Sequence, residues 1–398
     1  MTKGILSFGR DDDDIVVVAF SETPILRNTG RSAYELAADV AEALFKQCGL
    51  EPGGIDGFST VLPLSEAGNP FWANYCAEYL GIAPVWQNLA ACGGASVLSG
   101  IAATAAALSD HRCEAALLVH ADAPSTRDLS VFGAHRTEIA DPTGLFGAPG
   151  TFGMIMTRYI AEYGLDRHGL ANLLCTQRSN AASNELSYPK LRSAVTPDDY
   201  LRARVLSEPL TLLDSVMPCD GANGLILMRG ETATRMGLRA VARLLSYGEI
   251  TNPDIHDPRA DMLRPGHARI AASVLEAAGV RREDLDLLCL YDDFLIAVAL
   301  QLEAFGYCAR GEGSQFLART DISPAGKLPI NPGGGLIGCG QTGLACGGQL
   351  FLEAVRQVAH QAEARQVPEA RYALVTGIGV MPYGRSWGTS NCMVISNA

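Results

Sequence analysis

Gln87-Asn88-Leu89-Ala90-Ala91-Cys92-Gly93-Gly94-Ala95-Ser96 is followed by small residues at Ser99, Gly100, Ala102, Ala103, Ala105, Ala106 and Ala107, with no proline among them. The run reads as a long helix beginning near Cys92. It ends at Asp110-His111-Arg112-Cys113, and the strand-like Ala115-Ala116-Leu117-Leu118-Val119 comes next. A thiol at a glycine-flanked helix start lies beside unpaired N–H groups and the positive end of the helix dipole. Both favour thiolate over thiol. The same residue also fits a buried structural cysteine, the ordinary role of a free Cys. The local pattern leaves both readings open.

Outward from this stretch, strands and helices alternate. Ile15–Phe20 is a β-branched run, hence a buried strand. Arg31–Gln47 carries Leu36, Val40 and Leu44 at helical spacing and stops at Cys48-Gly49. Ile55–Val61 reads as a second strand and Trp72–Leu80 as a helix. Such alternation predicts an α/β fold with a largely parallel sheet. Residues 123–215 break the rhythm with Asp141-Pro142-Thr143-Gly144, a helical Met154–Tyr163 and a polar stretch from Arg178 to Arg204. This is read as an inserted loop region over the main layers, where specificity usually sits. Its arginines 127, 136, 178 and 192 read as solvated.

The remainder repeats the first order of elements. Ala240–Tyr247 answers Ile15–Phe20, and Ala268–Ala278 with Gly279 answers the helix ending at Gly49. Asp284–Leu290 answers Ile55–Phe58. Gly338-Cys339-Gly340-Gln341-Thr342-Gly343 opens a helix over Leu344–Ala359, as Cys92-Gly93-Gly94 opens its own. Arg371–Thr376 answers Glu114–Val119. An internal duplication follows: two βαβ-type halves, 1–122 with 216–235 and 236–398, around the insert 123–215. Two such halves bring the helix starts at Cys92 and Gln341 to one cleft.

The net charge of −12 argues against nucleic acid or an anionic membrane as partner. None of the 11 cysteines forms a CxxC pair, and no Cys/His cluster has zinc spacing, so no metal is expected. The N-terminus has no basic-then-apolar signal, and no apolar stretch spans a bilayer. A reducing, cytoplasmic setting is expected. Gly333, Gly335 and Gly338 match GxGxxG, but the Asn331-Pro332 lead-in is not a buried strand, so close backbone approach between the halves is the better reading. Tyr291-Asp292-Asp293-Phe294 ends an apolar strand before a helix over Leu295–Phe305. One Asp is expected to cap that helix. Two acids and a phenol at the C-terminal end of a strand also suit acid/base chemistry. Of the seven histidines, His135 in the insert is the one candidate pocket residue.

Taken together, the chain resembles the thiolase superfamily, most closely its sterol-carrier-protein-type branch, over nearly its whole length. The nucleophile loop is similar at Asn88–Gly94 with Cys92 at the reactive position, followed 21 residues later by Cys113. Thr157-Arg158-Tyr159-Ile160, Tyr163-Gly164, Asp220-Gly221-Ala222, Gln301-Leu302-Glu303, Gly311-Glu312-Gly313 and Asn331-Pro332-Gly333-Gly334-Gly335-Leu336 match as well. The resemblance implies a five-layer αβαβα sandwich made of the two duplicated halves. Two departures stand out. The family's Gly-His-Pro falls on Gly340-Gln341-Thr342, without the histidine, and its Asn-Glu-Ala-Phe or His-Asp-Cys-Phe motif falls on Tyr291-Asp292-Asp293-Phe294. The second reactive cysteine is missing at Asp293 and at the Gly377-Ile378-Gly379 loop, with Cys339 a nearby substitute.

The implied activity is that of a CoA-dependent acyltransferase. Cys92 attacks the ketone of a specialised 3-oxoacyl-CoA, the C–C bond breaks, and free CoA removes the acyl group. Gln341 donates to an oxyanion but cannot act as a base, which leaves Asp293 or Tyr291 to move the proton. Asn331, Gly340, Gly379 and His135 complete the site as substrate-binding residues. Coenzyme A is substrate and product, with no covalently bound cofactor. One alternative is a thiolase-fold retro-aldolase that cleaves a 3-hydroxyacyl-CoA with Tyr291 as acid/base. Another is a non-catalytic scaffold subunit. The family also implies a homodimer and a small partner subunit carrying a zinc ribbon and an OB-fold.

Overall fold

The computed structural model describes residues 4–9, 14–127, 142, 144, 147–257, 260–379 and 387–398. The first run of elements is β1 (Ile5–Ser7), β2 (Ile15–Glu22), α1 (Ala33–Cys48), β3 (Gly57–Val61), α2 (Trp72–Tyr79), β4 (Trp86–Ala90), α3 (Ser96–Ser109) and β5 (Ala115–Asp122). There follow α4 (Gly147–Tyr163), α5 (Arg167–Ala182), α6 (Pro197–Leu201), the short strands β6 (Val205–Ser207) and β7 (Leu210–Thr211), then β8 (Gly221–Arg229) and α7 (Gly230–Arg235). The second run is β9 (Ala242–Thr251), α8 (His267–Ala278), β10 (Leu287–Cys289), α9 (Leu295–Ala304), α10 (Gly313–Arg319), α11 (Gly335–Cys339), α12 (Cys346–Val358), β11 (Tyr372–Ile378) and β12 (Thr389–Asn397).

The duplication is visible in the sheet. The first half has the order β2-β8-β5-β3-β4 and the second β9-β12-β11-β10. In each, the inner crossovers are parallel and the last strand returns antiparallel. Where β4 lies beside β3, Ile330 forms a parallel bridge to Leu288 of β10. The halves join where β2 meets β9, at Val16↔Arg243 and Val17↔Ala242. The sandwich therefore has a seam of shared hydrogen bonds between its two sheets. Helices α3 and α12 pack against each other between the sheets, α1 covers the outer face of the first, and α8 that of the second.

Strand alternation builds two cores. Leu117, Val119, Ile226 and Met228 face α1 together with Leu36, Val40 and Leu44. Leu118, Leu225 and Leu227 face the central layer with Leu98, Ile101 and Leu108. Successive side chains of a strand point to opposite faces, so one β-branched run serves both cores. Helix α3 is buried nearly all round, which explains its small residues: two backbone layers must approach it. Helices α1 and α8 end on Gly49 and Gly279, both at φ 66°, a left-handed C-cap that glycine adopts without cost. Among the described residues, no helix is long and apolar enough to cross a membrane.

Four sequence expectations change. The sheet, expected to be largely parallel, is mixed: among the described strands only β3 with β4 and β5, and β10 with β11, pair parallel, and the other ladders of the main sheet are antiparallel. The C-terminal part of α5 falls in the stretch read as a polar loop. It is helical because Leu170, Leu173, Leu174, Gln177, Arg178 and Ala181 form one buried face. Arg178, read as solvated, is buried with Nη1 donating to the Leu191 carbonyl at 3.1 Å. Neither Asp292 nor Asp293 caps α9, whose N-cap is Phe294. Asp292 instead accepts from the Leu336 N–H at 2.9 Å and the Ile337 N–H at 3.2 Å, in the first turn of α11. The cap is supplied across the fold rather than along the chain.

Candidate active site

Cys92 precedes a 3₁₀ turn, Gly93–Ala95, that leads into α3. Its N–H donates to the Ser96 hydroxyl at 2.9 Å, and Ser96 donates on to the Gly93 carbonyl at 2.6 Å. The turn is thereby fixed from within. Gly379, at the end of β11, lies against the same residue: a Cβ there would sit 2.9 Å from the Cys92 carbonyl. The Cys92 thiol is partly exposed and donates to the Ser99 hydroxyl at 3.3 Å. Burial, aided by the negative charge of Glu249, pushes this thiol up from its ordinary range. The helix start that sequence reasoning expected to favour thiolate is met here by partial desolvation and a nearby carboxylate, both of which favour the thiol.

Tyr291 enters from the other half, at the end of β10. Its ring lies over Gly94, where a Cβ would come within 1.9 Å of the phenol oxygen. The hydroxyl donates to Asp293 Oδ2 at 3.0 Å and lies 3.3 Å from the Cys346 Sγ. The backbone behind it is locked, with the Tyr291 N–H on Thr376 Oγ1 at 2.8 Å and its carbonyl accepting from Gln301 at 2.8 Å. Burial and the Asp293 charge push the phenol far up, so it stays protonated. Asp293 Oδ1 is sealed from solvent and has no hydrogen-bond partner among the described residues. Burial raises its carboxyl to about 7, against the lowering hydrogen bonds of Tyr291 and Gln341. The Gln341 amide nitrogen also lies 3.6 Å from Cys346 Sγ, and its carbonyl accepts from the Gly343 N–H at 3.1 Å. The structure thus gathers Tyr291, Asp293, Gln341 and Cys346, with Tyr291 reaching the Cys92 turn at Gly94.

The other sequence candidates sit differently. Asn331 is buried and uses its side chain on the Leu290 backbone, accepting from N–H at 2.8 Å and donating to the carbonyl at 2.9 Å. Gly340, at φ 100°, packs on Cys219 and Ile25, and its carbonyl accepts from Gln349 at 2.9 Å. His135 lies outside the described residues. Cys339 is buried between Ser187 and the Gly333 carbonyl, its thiol pushed up to about 12 by burial. It points away from Gln341, and the thiol beside Gln341 is Cys346. The glycine run 333–338 does permit close approach, but to Asp292 at Gly335 and to the α5 backbone at Gly338.

Sequence reasoning passed over Cys346, Ser99 and Glu249. A signal for Cys346 existed: it follows the turn Gly343–Ala345 as Ser96 follows Gly93–Ala95, one position of the duplication. Glu249 has no comparable signal, because only tertiary packing brings it from β9 to Ser99 on α3.

Residues 248–386 match the family model described as Thiolase C-terminal domain-like. The chain is 28% identical over 394 residues to the 17-hydroxy-3-oxo-4-pregnene-20-carboxyl-CoA lyase of Mycobacterium tuberculosis, covering 92% of this chain and 97% of that protein. It is 29% identical over 238 residues to sterol carrier protein 2 of Oryctolagus cuniculus, covering 58% of this chain and 43% of that protein. Among solved structures, the Ltp2-ChsH2(DUF35) aldolase superposes with a TM-score of 0.83 at 24% identity, over 96% of this chain and 98% of that one. Fold, duplication and relatives agree: the chain is similar to the thiolase superfamily, and within it to the sterol-carrier-protein-type branch.

Proposed function

We propose that this protein is a lyase that cleaves the C2–C3 bond of a 3-hydroxyacyl-CoA by retro-aldol chemistry. The observation that carries this reading is the Tyr291–Asp293 pair, a buried neutral phenol donating at 3.0 Å to a half-buried carboxyl raised to about 7. A base with a pKa near the working pH and a proton-passing hydroxyl in contact with it form an efficient acid/base unit. Tyr291 takes the proton of the substrate's 3-hydroxyl as it hands its own to Asp293. The C2–C3 electron pair passes into the thioester enolate, and the 3-carbon leaves as a carbonyl. The proton then returns through Tyr291 to C2, giving the shortened acyl-CoA. The Gln341 amide is the donor for the enolate oxygen. The 28% identity to a CoA lyase over nearly the full chain supports the same reaction class.

The runner-up is thiolysis through a Cys92 acyl-enzyme, favoured by the partly exposed thiol at a helix start. The two reactions differ in their need for free CoA. Incubation with a 3-hydroxyacyl-CoA and no added CoA is expected to release a carbonyl product and a shorter acyl-CoA, and Cys92→Ala is expected to keep most of that activity. A mass adduct on Cys92 together with an absolute need for free CoA overturns the lyase reading. Activity also depends on Asp293 being ionised, so kcat is expected to rise with pH through about 7 and then level off. A pH-rate profile flat between about pH 5 and 8 removes Asp293 from the role of base.

CoA serves as the handle of the substrate in either chemistry. A homodimer and a small subunit with a zinc ribbon and an OB-fold complete the proposed assembly. The two-component name of the superposed aldolase supports such a partner.

A further inference from the structure

A polar network behind Cys92 takes no part in the lyase chemistry. The groups around the thiol come from three elements. Ser96 and Ser99 lie on α3, Tyr247 and Glu249 on β9, and Asn391 on β12. Glu249 is the one carboxylate in this set, and three donors converge on its Oε2. These are the Ser99 hydroxyl through a short hydrogen bond, the Tyr247 hydroxyl at 2.5 Å and Asn391 Nδ2 at 3.3 Å. Asn391 Nδ2 is also tied to the Ala95 carbonyl at 2.9 Å and to Ser99 Oγ at 3.2 Å.

A serine hydroxyl has one proton to give. With that proton on Glu249, Ser99 turns only lone pairs toward Cys92, 3.3 Å away. A thiol can donate into them. A thiolate in the same place would face a lone pair with a carboxylate behind it. We infer that Glu249, acting through Ser99, is a positioning residue that keeps Cys92 as a neutral, hydrogen-bond-donating thiol. The consequence for chemistry rests on the lyase reading: a neutral Cys92 is not acylated, and the substrate is left to Tyr291 and Asp293. The network takes over the part of the fold where an ordinary thiolase would need a reactive sulfur and quiets it.

The test is alkylation of the full-length protein by iodoacetamide across about pH 6 to 10, with the Cys92 peptide followed by mass spectrometry. In the unmodified sequence, half-maximal alkylation is expected above about pH 8.5, the value of a free cysteine. Glu249→Gln removes the charge and frees the Ser99 proton to turn to sulfur, so Cys92 is expected to react about tenfold faster at neutral pH. Adding Ser99→Ala to Glu249→Gln keeps the charge effect but loses the donor, so its rate is expected between the two. A slower or unchanged rate in Glu249→Gln overturns the inference, a slower rate identifying the carboxylate as a base that draws the proton through Ser99. If Glu249→Gln does not fold, the profile of the unmodified protein still decides, since a midpoint at or below about 8.5 overturns it. Alkylation needs no turnover, so failure of the lyase assay and failure of this inference are read separately.

Discussion

Replacing Tyr291 with Phe is expected to lower C–C bond cleavage about 1,000-fold, within the range a positioned acid/base contributes. The substitution removes one oxygen and leaves the ring on Gly94. The backbone ties to Thr376 and Gln301 do not involve the phenol, so the local fold is retained. The stability cost is about 1 kcal/mol, the worth of a single hydrogen bond. The loss belongs in kcat more than in KM, because the hydroxyl acts on the bond being broken. The residual activity carries a second signature. The Tyr291 hydrogen bond lowers the Asp293 pKa, so without it the remaining pH profile shifts upward. Steady-state kinetics with a 3-hydroxyacyl-CoA, beside thermal denaturation, check both points. A loss smaller than tenfold with an unmoved profile would falsify the assignment of Tyr291.

Gly94→Ala is expected to cost about 100-fold in cleavage through the same hydroxyl, by moving it. The new methyl would lie 1.9 Å from the phenol oxygen, 2.1 Å from Cζ and 2.5 Å from Cε2, far inside contact distance. Tyr291 is buried and cannot swing into solvent, so either the ring or the Gly93–Ala95 turn must shift. A displacement of about 1 Å at a reacting group is enough for about a 100-fold loss. Overpacking adds about 1–3 kcal/mol of destabilisation, visible in a urea titration. Because both substitutions remove one function, the Gly94→Ala/Tyr291→Phe double variant is expected to be scarcely slower than Tyr291→Phe alone. Fully multiplicative losses in the double variant would show that Gly94 matters for some other reason.

The α/β class and the internal duplication were legible in the residues because they rest on short-range rules, while the αβαβα sandwich and the branch were implied by the motif resemblance. Alternating apolar strands, helices ending on Gly49 and Gly279, and glycine-rich turns before two buried helices all follow from local backbone preference and side-chain period. The order of these elements repeats, and the strand orders β2-β8-β5-β3-β4 and β9-β12-β11-β10 repeat with it. The same local reading identified Cys92, Tyr291, Asp293 and Gln341 as chemically capable residues.

Tertiary structure decided what each of those residues meets. The helix start at Cys92 favours a thiolate, but burial, aided by Glu249 from a strand in the other half, pushes the thiol up. Asp292 and Asp293 are neighbours with the same side chain. One caps α11 and the other faces the Tyr291 hydroxyl, because the strand end turns them toward different packed layers. The Cys346 thiol joins the site because the start of α12 is packed beside the end of β10, within hydrogen-bonding reach of Tyr291 and Gln341. Proton affinity depends on burial and on charges within a few ångströms, and such neighbours are far apart in sequence. The sequence by itself therefore determined which groups stand ready at the cleft. The packing of one half on the other determined which of them holds a proton and which can pass one on.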